Sequence, residues 1–90
     1  MALLIKTDGS TTMVTIPKKN QLEFLQGLVG GYIEIVGIKA LRFKGHTGMV
    51  INEEGKLNGL PLNKIASEIF NNPYDVIVGD AIIFKDGEID

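Results

Sequence analysis

The segment from Asn52 to Asn63 concentrates polar side chains that could bind a small ligand. Asn52, Asn58 and Asn63 carry amides that both donate and accept hydrogen bonds, as contacts to base edges or ribose hydroxyls require. Lys56 adds a positive charge, and the helix predicted to follow would offer free backbone N–H groups to an anion. The segment therefore indicates a site for a small phosphorylated ligand. Asparagine and glycine are also common turn residues, and Asn63 could cap that helix, so a structural role stays open.

Two further groups of residues could complete such a site. Tyr32 follows Gly30-Gly31 and could stack on a flat ring, although a core or edge position is the more common role of such a tyrosine. A basic cluster could bind a phosphate or simply form a solvated hairpin; it consists of Lys39, Arg42, Lys44 and His46. The candidate ligand-binding residues are therefore Tyr32, Arg42, Lys44, Asn52, Lys56, Asn58 and Asn63.

Sequence patterns typical of catalysis are missing. The chain has one histidine and no cysteine, and neither serine sits in a nucleophile elbow. Zinc-ligand spacing is absent, and the glycines within 27–31 close a helix, whereas phosphate-binding glycines open one. A hydrolase built on carboxylates, such as Glu53 and Glu54 or a cross-strand pair of Glu34 and Asp80, stays an alternative. We expect a binding protein, not an enzyme, with no catalytic residue, metal or cofactor.

Composition predicts one small domain that spans residues 1–90. Its net charge of −2 disfavours nonspecific binding of DNA or RNA, which requires a basic face. The sequence shows no cysteine, no signal peptide and no apolar stretch of membrane-spanning length, so we expect a cytoplasmic protein without a membrane partner. A core of this size often gains stability by self-association, which favours a homo-oligomer.

The elements that would position these residues follow from apolar periodicity and turn signals. They are strands at 2–7 and 11–16, a helix from Asn20 to Gly30-Gly31, strands at 32–38 and 49–51, a helix from Pro61 to Asn71, and a strand at 75–84. Asp8-Gly9 is a hairpin signal. Asn20 with Glu23 predicts a capping box, and Pro61 suits the first position of a helix.

The sequence also makes predictions about the length of the third strand, the position of the last strand in the sheet and the C-terminal residues. The strand at 32–38 could extend to Phe43, with a turn over 44–48. Apolar residues on both sides of Gly79 predict a central last strand, covered on both faces and bulged at the glycine. Residues 86–90 are polar and expected to fray.

The predicted fold is α+β, in the order β-β-α-β-β-α-β. Two helices would pack on a largely antiparallel five-stranded sheet, because each helix must bury its apolar stripe. We expect each helix to cover a different part of one apolar face. The order of the strands within the sheet is left open by this pattern.

Three segments together carry a family resemblance. They are Leu-Val-Gly-Gly-Tyr-Ile-Glu at 28–34, the ordered motif Asn-Glu-Glu-Gly-Lys-Leu-x-Gly-Leu-Pro-x-Asn at 52–63, and Asp-Val-Ile-Val-Gly at 75–79. With them the chain resembles a family of small uncharacterised proteins of bacteriophages and mobile elements, over most of its length from Leu22 to Phe84.

The resemblance implies a function in anti-phage conflict. A small acidic phage protein without catalytic groups is similar in kind to the nucleotide sponges, which sequester cyclic-dinucleotide immune signals without cleaving them. A viral anti-defence sponge, oligomeric in the host cytoplasm, would fit the local chemistry: cations at Arg42, Lys44 and Lys56 for the phosphates, asparagines for the bases, and Tyr32 for stacking. The alternative is an interaction protein that inhibits a host defence enzyme by surface binding.

Overall fold

In the computed structural model, which describes residues 1–39 and 45–90, the chain forms one five-stranded sheet and two helices. The elements are β1 Ala2–Ile5, β2 Thr11–Val14, α1 Gln21–Val29, β3 Ile33–Val36, β4 His46–Asn52, α2 Lys64–Ile69 and β5 Ala81–Lys85. The strand order is β2-β1-β5-β4-β3, and every neighbouring pair is antiparallel. The predicted α+β class and order of elements are confirmed.

The two helices lie on opposite faces of the sheet. Ile82 and Ile83 are consecutive in β5, so their side chains point to opposite faces. Ile82 packs with Leu25 and Val29 of α1, in what we call the α1-side core. Ile83 packs with Ala66 and Ile69 of α2, in the α2-side core. The prediction of a central strand covered on both faces is confirmed, whereas the prediction that both helices share one face is wrong.

The hairpin between β1 and β2 forms as the Asp8-Gly9 signal predicts. Gly9 has a φ of 90°, which glycine adopts without steric cost. The Asp8 carboxylate accepts hydrogen bonds from the backbone N–H of Ser10 at 2.8 Å and from its hydroxyl at 2.6 Å. These bonds fix the turn, and the hairpin pairs Ala2 with Val14 and Ile5 with Thr11.

Helix α1 ends as predicted but begins differently. Gly30 has a φ of 82°, and its N–H donates to the Gln26 carbonyl at 2.8 Å, which closes the helix. Asn20 lies in the left-handed region, with a φ of 57° and no side-chain capping bond. The predicted capping box is therefore wrong, because in this conformation Asn20 does not cap a helix N–H with its side chain.

Helix α2 begins at Lys64, not at Pro61 as predicted. Leu62 forms an isolated antiparallel bridge with Val78, and the Asn63 N–H donates to the Ile77 carbonyl at 2.8 Å. This pairing keeps the chain extended up to Asn63, which then caps the helix. The same pairing occupies the residues before Gly79, so β5 begins at Ala81 and the predicted single strand over 75–84 is too long.

The C-terminal residues are fixed to α1, contrary to the predicted fraying. The Gln21 side chain donates to the Glu88 carbonyl and accepts from the Asp90 N–H, both at 3.0 Å. Ile89 packs against the α1-side core. These contacts exceed what the polar composition of the tail suggests, because one partly buried isoleucine anchors it.

The predicted turn over 44–48 is wrong at its end, because His46 already lies in β4, opposite Lys85 of β5. A register shift follows between His46 and Gly48. The predicted extension of the third strand to Phe43 falls largely outside the described residues. No helix in the described ranges is long and apolar enough to cross a membrane.

Candidate functional site

A groove of about 410 Å³ lies between the last turn of α1 and the loop that follows β4. Its volume is within the range of about 300–1,000 Å³ that small-ligand sites occupy. We call it the Tyr32 groove; it is lined by Gln26, Gly27, Gly30, Gly31, Tyr32, Glu54 and Asn58. Two of the predicted site residues, Tyr32 and Asn58, meet here.

Tyr32 presents its ring to solvent while its backbone is held in place. The residue is 64% exposed, although a tyrosine of a small domain more often buries its ring. Its carbonyl accepts a hydrogen bond from the Glu53 N–H at 2.8 Å, which ties the start of β3 to the loop after β4. A fixed backbone and an exposed ring are what a stacking surface for a flat ligand requires.

Asn52 joins the walls of the Tyr32 groove from inside the fold. Its side-chain amide donates to the Val29 carbonyl at 3.1 Å, and its side-chain carbonyl accepts from the Glu54 N–H at 2.8 Å. A Cβ on Gly31 would lie 3.0 Å from that amide nitrogen, which is too close for any residue but glycine unless Asn52 moves. Asn52 is only 5% exposed, so it supports the groove through its hydrogen bonds. The sequence predicts it instead as a residue that contacts the ligand.

Gly27 is a glycine within α1 that packing does not require. A Cβ built on it meets nothing within 4 Å, and its φ is not positive. Glycine inside a helix costs about 0.5–1 kcal/mol relative to alanine. Gly27 lines the Tyr32 groove, so the absence of a side chain there leaves more space for a ligand on the α1 side of the groove. A locally unfavourable residue at such a place is typical of a functional surface.

The Tyr32 groove is electronegative. The C-terminal end of a helix carries a partial negative charge, and α1 has no basic residue in its last turn. In the described part of the chain, the Gly27 carbonyl at this end accepts no hydrogen bond. Glu54 adds a carboxylate, and the lining residues from the described ranges 1–39 and 45–90 include no lysine, arginine or histidine. The groove therefore favours hydrogen-bond donors and disfavours a phosphate.

Lys56 lies in a separate, smaller cleft of about 170 Å³, below the usual size of a ligand site. Its ammonium group forms an ion pair with the carboxylate of Asp75. That hydrogen bond, and a second from the Val76 N–H, hold the pKa of Asp75 below its ordinary value. The positive charge of Lys56 is thus partly neutralised by Asp75, with Glu34 and Glu53 also lining the cleft.

Asn63 is at the centre of the fold and has no exposure. Its side-chain carbonyl caps α2 by accepting from the Ala66 N–H at 3.0 Å. Its amide donates to the carbonyls of Ile5 and Gly79, both at 2.9 Å. All of these bonds lie inside the protein. Asn63 therefore caps α2, the structural role that the sequence also allowed.

The predicted site residues are therefore dispersed. Tyr32 and Asn58 share the Tyr32 groove, Asn52 supports it and also lines the Lys56 cleft, and Asn63 lies in the core. Arg42 and Lys44 lie outside the described residues.

Sequence reasoning missed Gln26, Gly27 and Glu54 as site residues. The signal that could have found Gly27 is a glycine within a strongly helical pattern. Glu54 gave no comparable signal, because the sequence favoured it only as one carboxylate of the hydrolase alternative.

Across residues 1–39 and 45–90, no group of three or more histidine, aspartate or glutamate side chains could hold a metal ion. The polar groups of the Tyr32 groove are a phenol, two amides and one carboxylate, from Tyr32, Gln26, Asn58 and Glu54. These groups can stack on a flat ring and hydrogen-bond its edge.

No curated protein and no solved structure matches the chain. The model of one protein family matches it over residues 1–90. The protein accordingly belongs to the family described as a domain of unknown function, DUF3846.

Proposed function

We propose that this protein is a phage-type anti-defence sponge, which binds a cyclic dinucleotide or a related nucleotide immune signal and sequesters it without cleavage. The observation that carries the proposal is the exposed ring of Tyr32 beside the amides and the carboxylate of the Tyr32 groove. An aromatic face next to hydrogen-bonding groups is the usual arrangement for binding an unpaired base.

The base of the ligand would stack on Tyr32, and its edge would face Gln26, Glu54 and Asn58. Stacking of a base on an aromatic side chain contributes about 1–3 kcal/mol. The position of Gly27 supports this arrangement, because Gly27 lines the groove and a larger residue there would reduce the space for a ligand. In this arrangement the side chains only stack on the base and hydrogen-bond to it. The ligand would therefore be released chemically unchanged.

The phosphates of the ligand would point out of the Tyr32 groove, since the described part of its lining carries no cation. Arg42 and Lys44 lie outside the described residues, so their binding of the phosphates stays a prediction from the sequence. Lys56 is a further candidate, provided that a phosphate replaces Asp75 as the partner of its ammonium group. The groove is open on the surface of one chain, so a second copy would be needed to enclose a ligand. The edge strand β3 beside Tyr32, with Ile35 exposed, supports a homo-oligomer.

Thermal unfolding with a panel of cyclic mono- and dinucleotides tests the proposal. A ligand at 100 times its Kd should stabilise the native state by about 2.7 kcal/mol. Tyr32→Ala should weaken binding by about 1–3 kcal/mol. Tyr74→Ala is the matched control, because Tyr74 is 96% exposed and lies outside the groove.

Two further measurements complete this test. Mass spectrometry of ligand recovered after long incubation and denaturation should return it intact, and native mass spectrometry should show an oligomer that retains ligand. Absence of stabilisation by every nucleotide, or equal loss in Tyr32→Ala and Tyr74→Ala, would contradict nucleotide binding in the groove. A cleaved ligand would support the hydrolase alternative instead.

A second candidate function is inhibition of a host defence enzyme by surface binding. It is favoured by the exposed side chains of Leu57 and Tyr74, whose loops are joined by the ion pair of Lys56 and Asp75. Exposed apolar residues around a charged pair are typical of protein contacts. A stoichiometric host protein captured by the wild type and lost with Tyr74→Ala would support this function, whereas capture unaffected by that change would contradict it.

A further inference from the structure

The electronegative character of the Tyr32 groove restricts which base it can accept. Glu54, whose carboxylate only accepts hydrogen bonds, lines the groove together with Tyr32. The end of α1 adds a partial negative charge, and among the residues that the structure describes no basic side chain lines the groove. A ligand edge made of donors is therefore attracted here, and an edge rich in acceptors is repelled.

We infer that the Tyr32 groove selects guanine, with the Glu54 carboxylate accepting two hydrogen bonds from the guanine edge while Tyr32 stacks on the ring. This inference rests on the proposed nucleotide binding and names the base within it.

The common bases differ in the pattern along their Watson–Crick edges. Guanine presents N1–H and the N2 amino group side by side, two adjacent donors that match the two oxygens of a carboxylate. Adenine and cytosine present one amino group beside a ring nitrogen that accepts, and uracil presents one N–H between two carbonyls. Each of those three would place an acceptor against the carboxylate. Charged acceptors make the stronger hydrogen bonds, so the difference between guanine and the others should be large.

The backbone of Glu54 is held by a buried neighbour, Asn52. Its backbone N–H donates to the side-chain carbonyl of Asn52 at 2.8 Å, and that residue is anchored to α1 through the Val29 carbonyl. The neighbouring carboxylate, Glu53, lines the Lys56 cleft and not the Tyr32 groove. The two adjacent glutamates thus line different surfaces, so a substitution of Glu53 is a matched control for the same substitution of Glu54.

The test compares the Kd of cyclic di-GMP with that of cyclic di-AMP by calorimetry, for the wild type, Glu54→Gln and Glu53→Gln. The wild type should bind the guanine ligand about tenfold tighter or more. Glu54→Gln should lose most of that preference, because an amide can pair with adenine as well as with guanine. Glu53→Gln should keep the preference.

Each outcome separates this inference from the proposal on which it rests. Equal affinities in the wild type, a preference for adenine, or a preference unchanged in Glu54→Gln would overturn guanine selection while leaving nucleotide binding intact. Binding of neither ligand would overturn guanine selection, and the wider nucleotide panel would then decide whether the groove binds another base. Circular dichroism of each variant confirms that a lost preference does not come from unfolding.

Discussion

Three asparagines of one segment have three different roles. Asn63 is buried and bonded to Ile5, Gly79 and Ala66, Asn52 links Val29 to Glu54, and Asn58 is exposed in the Tyr32 groove. Their residue type and their turn-forming neighbours are alike in the sequence. The roles differ because the partners of Asn52 and Asn63 are mostly distant in the chain, and a local pattern contains no information about them.

Replacing Asn63 should strongly destabilise the fold. Asn63→Ala removes the cap of α2 and leaves two buried carbonyls without this donor, which should lower the free energy of unfolding by about 2 kcal/mol or more. Asn58→Ala is the control and should change it by less than about 0.5 kcal/mol, because that side chain is exposed. Denaturant titration of both variants measures the difference. Similar small effects would show that the bonds of Asn63 contribute little.

The single histidine should make stability depend on pH. Burial, followed by the nearby charge of Lys85, lowers the pKa of His46 below its ordinary value of 6.5. The unfolded chain therefore takes up a proton more readily than the folded one as the pH falls below 6.5, so the folded state loses stability there and not above.

Thermal unfolding at pH 7.5 and pH 5.5 measures this effect of His46. The midpoint of the wild type should be lower at pH 5.5, and His46→Gln should reduce the difference between the two pH values. Parallel shifts in both proteins would assign the pH dependence to other groups.

At the scale of the element, several patterns that use neighbouring residues predicted correctly, although the capping box of Asn20 did not. The helical spacing of α1, its glycine stop and the Asp8-Gly9 turn all depend on contacts within a few positions. The boundaries of α2 and β5 were wrong for one shared reason. The bridge of Leu62 with Val78 joins two segments that local rules assign to a helix and to a long strand.

Gly27 within α1 and Gly30, which caps its C-terminal end, should respond in opposite directions to replacement by alanine. Gly27→Ala should raise the free energy of unfolding by about 0.5–1 kcal/mol, because the site is helical and has room. Gly30→Ala should lower it by about 1 kcal/mol, because the φ of 82° is unfavourable for a residue with a side chain. Denaturant titration without ligand compares them.

The same pair of variants connects stability to binding. Gly27→Ala should bind nucleotide more weakly than the wild type although it is more stable, because the added methyl group enters the Tyr32 groove. A variant that is both more stable and equally good at binding would indicate that Gly27 has no part in the site.

At the scale of the molecule, the class and the order of elements could be predicted, but the two faces could not. The apolar run of β5 requires cover on both sides, and a sheet with a helix on each face satisfies it. Which helix crosses to which face depends on the connections to β3 and β5, and apolar periodicity does not encode these. The same holds for the candidate site. Tyr32 and Asn58 were predicted as ligand-binding residues, whereas the shape of the Tyr32 groove depends on how α1 meets the loop after β4, which a local pattern does not contain.

The central place of β5 has a consequence for how the chain folds. β5 is the last strand to be synthesised, yet it alone joins the β1–β2 hairpin to the β3–β4 pair. Until it emerges from the ribosome, the sheet exists as two separate halves whose inner edges, β1 and β4, are unpaired. The native sheet can therefore close only late, and its formation must bring together residues that are far apart in sequence, which is slow compared with forming local contacts. During that interval the exposed inner edges are where the nascent chain is most open to pairing with a wrong partner.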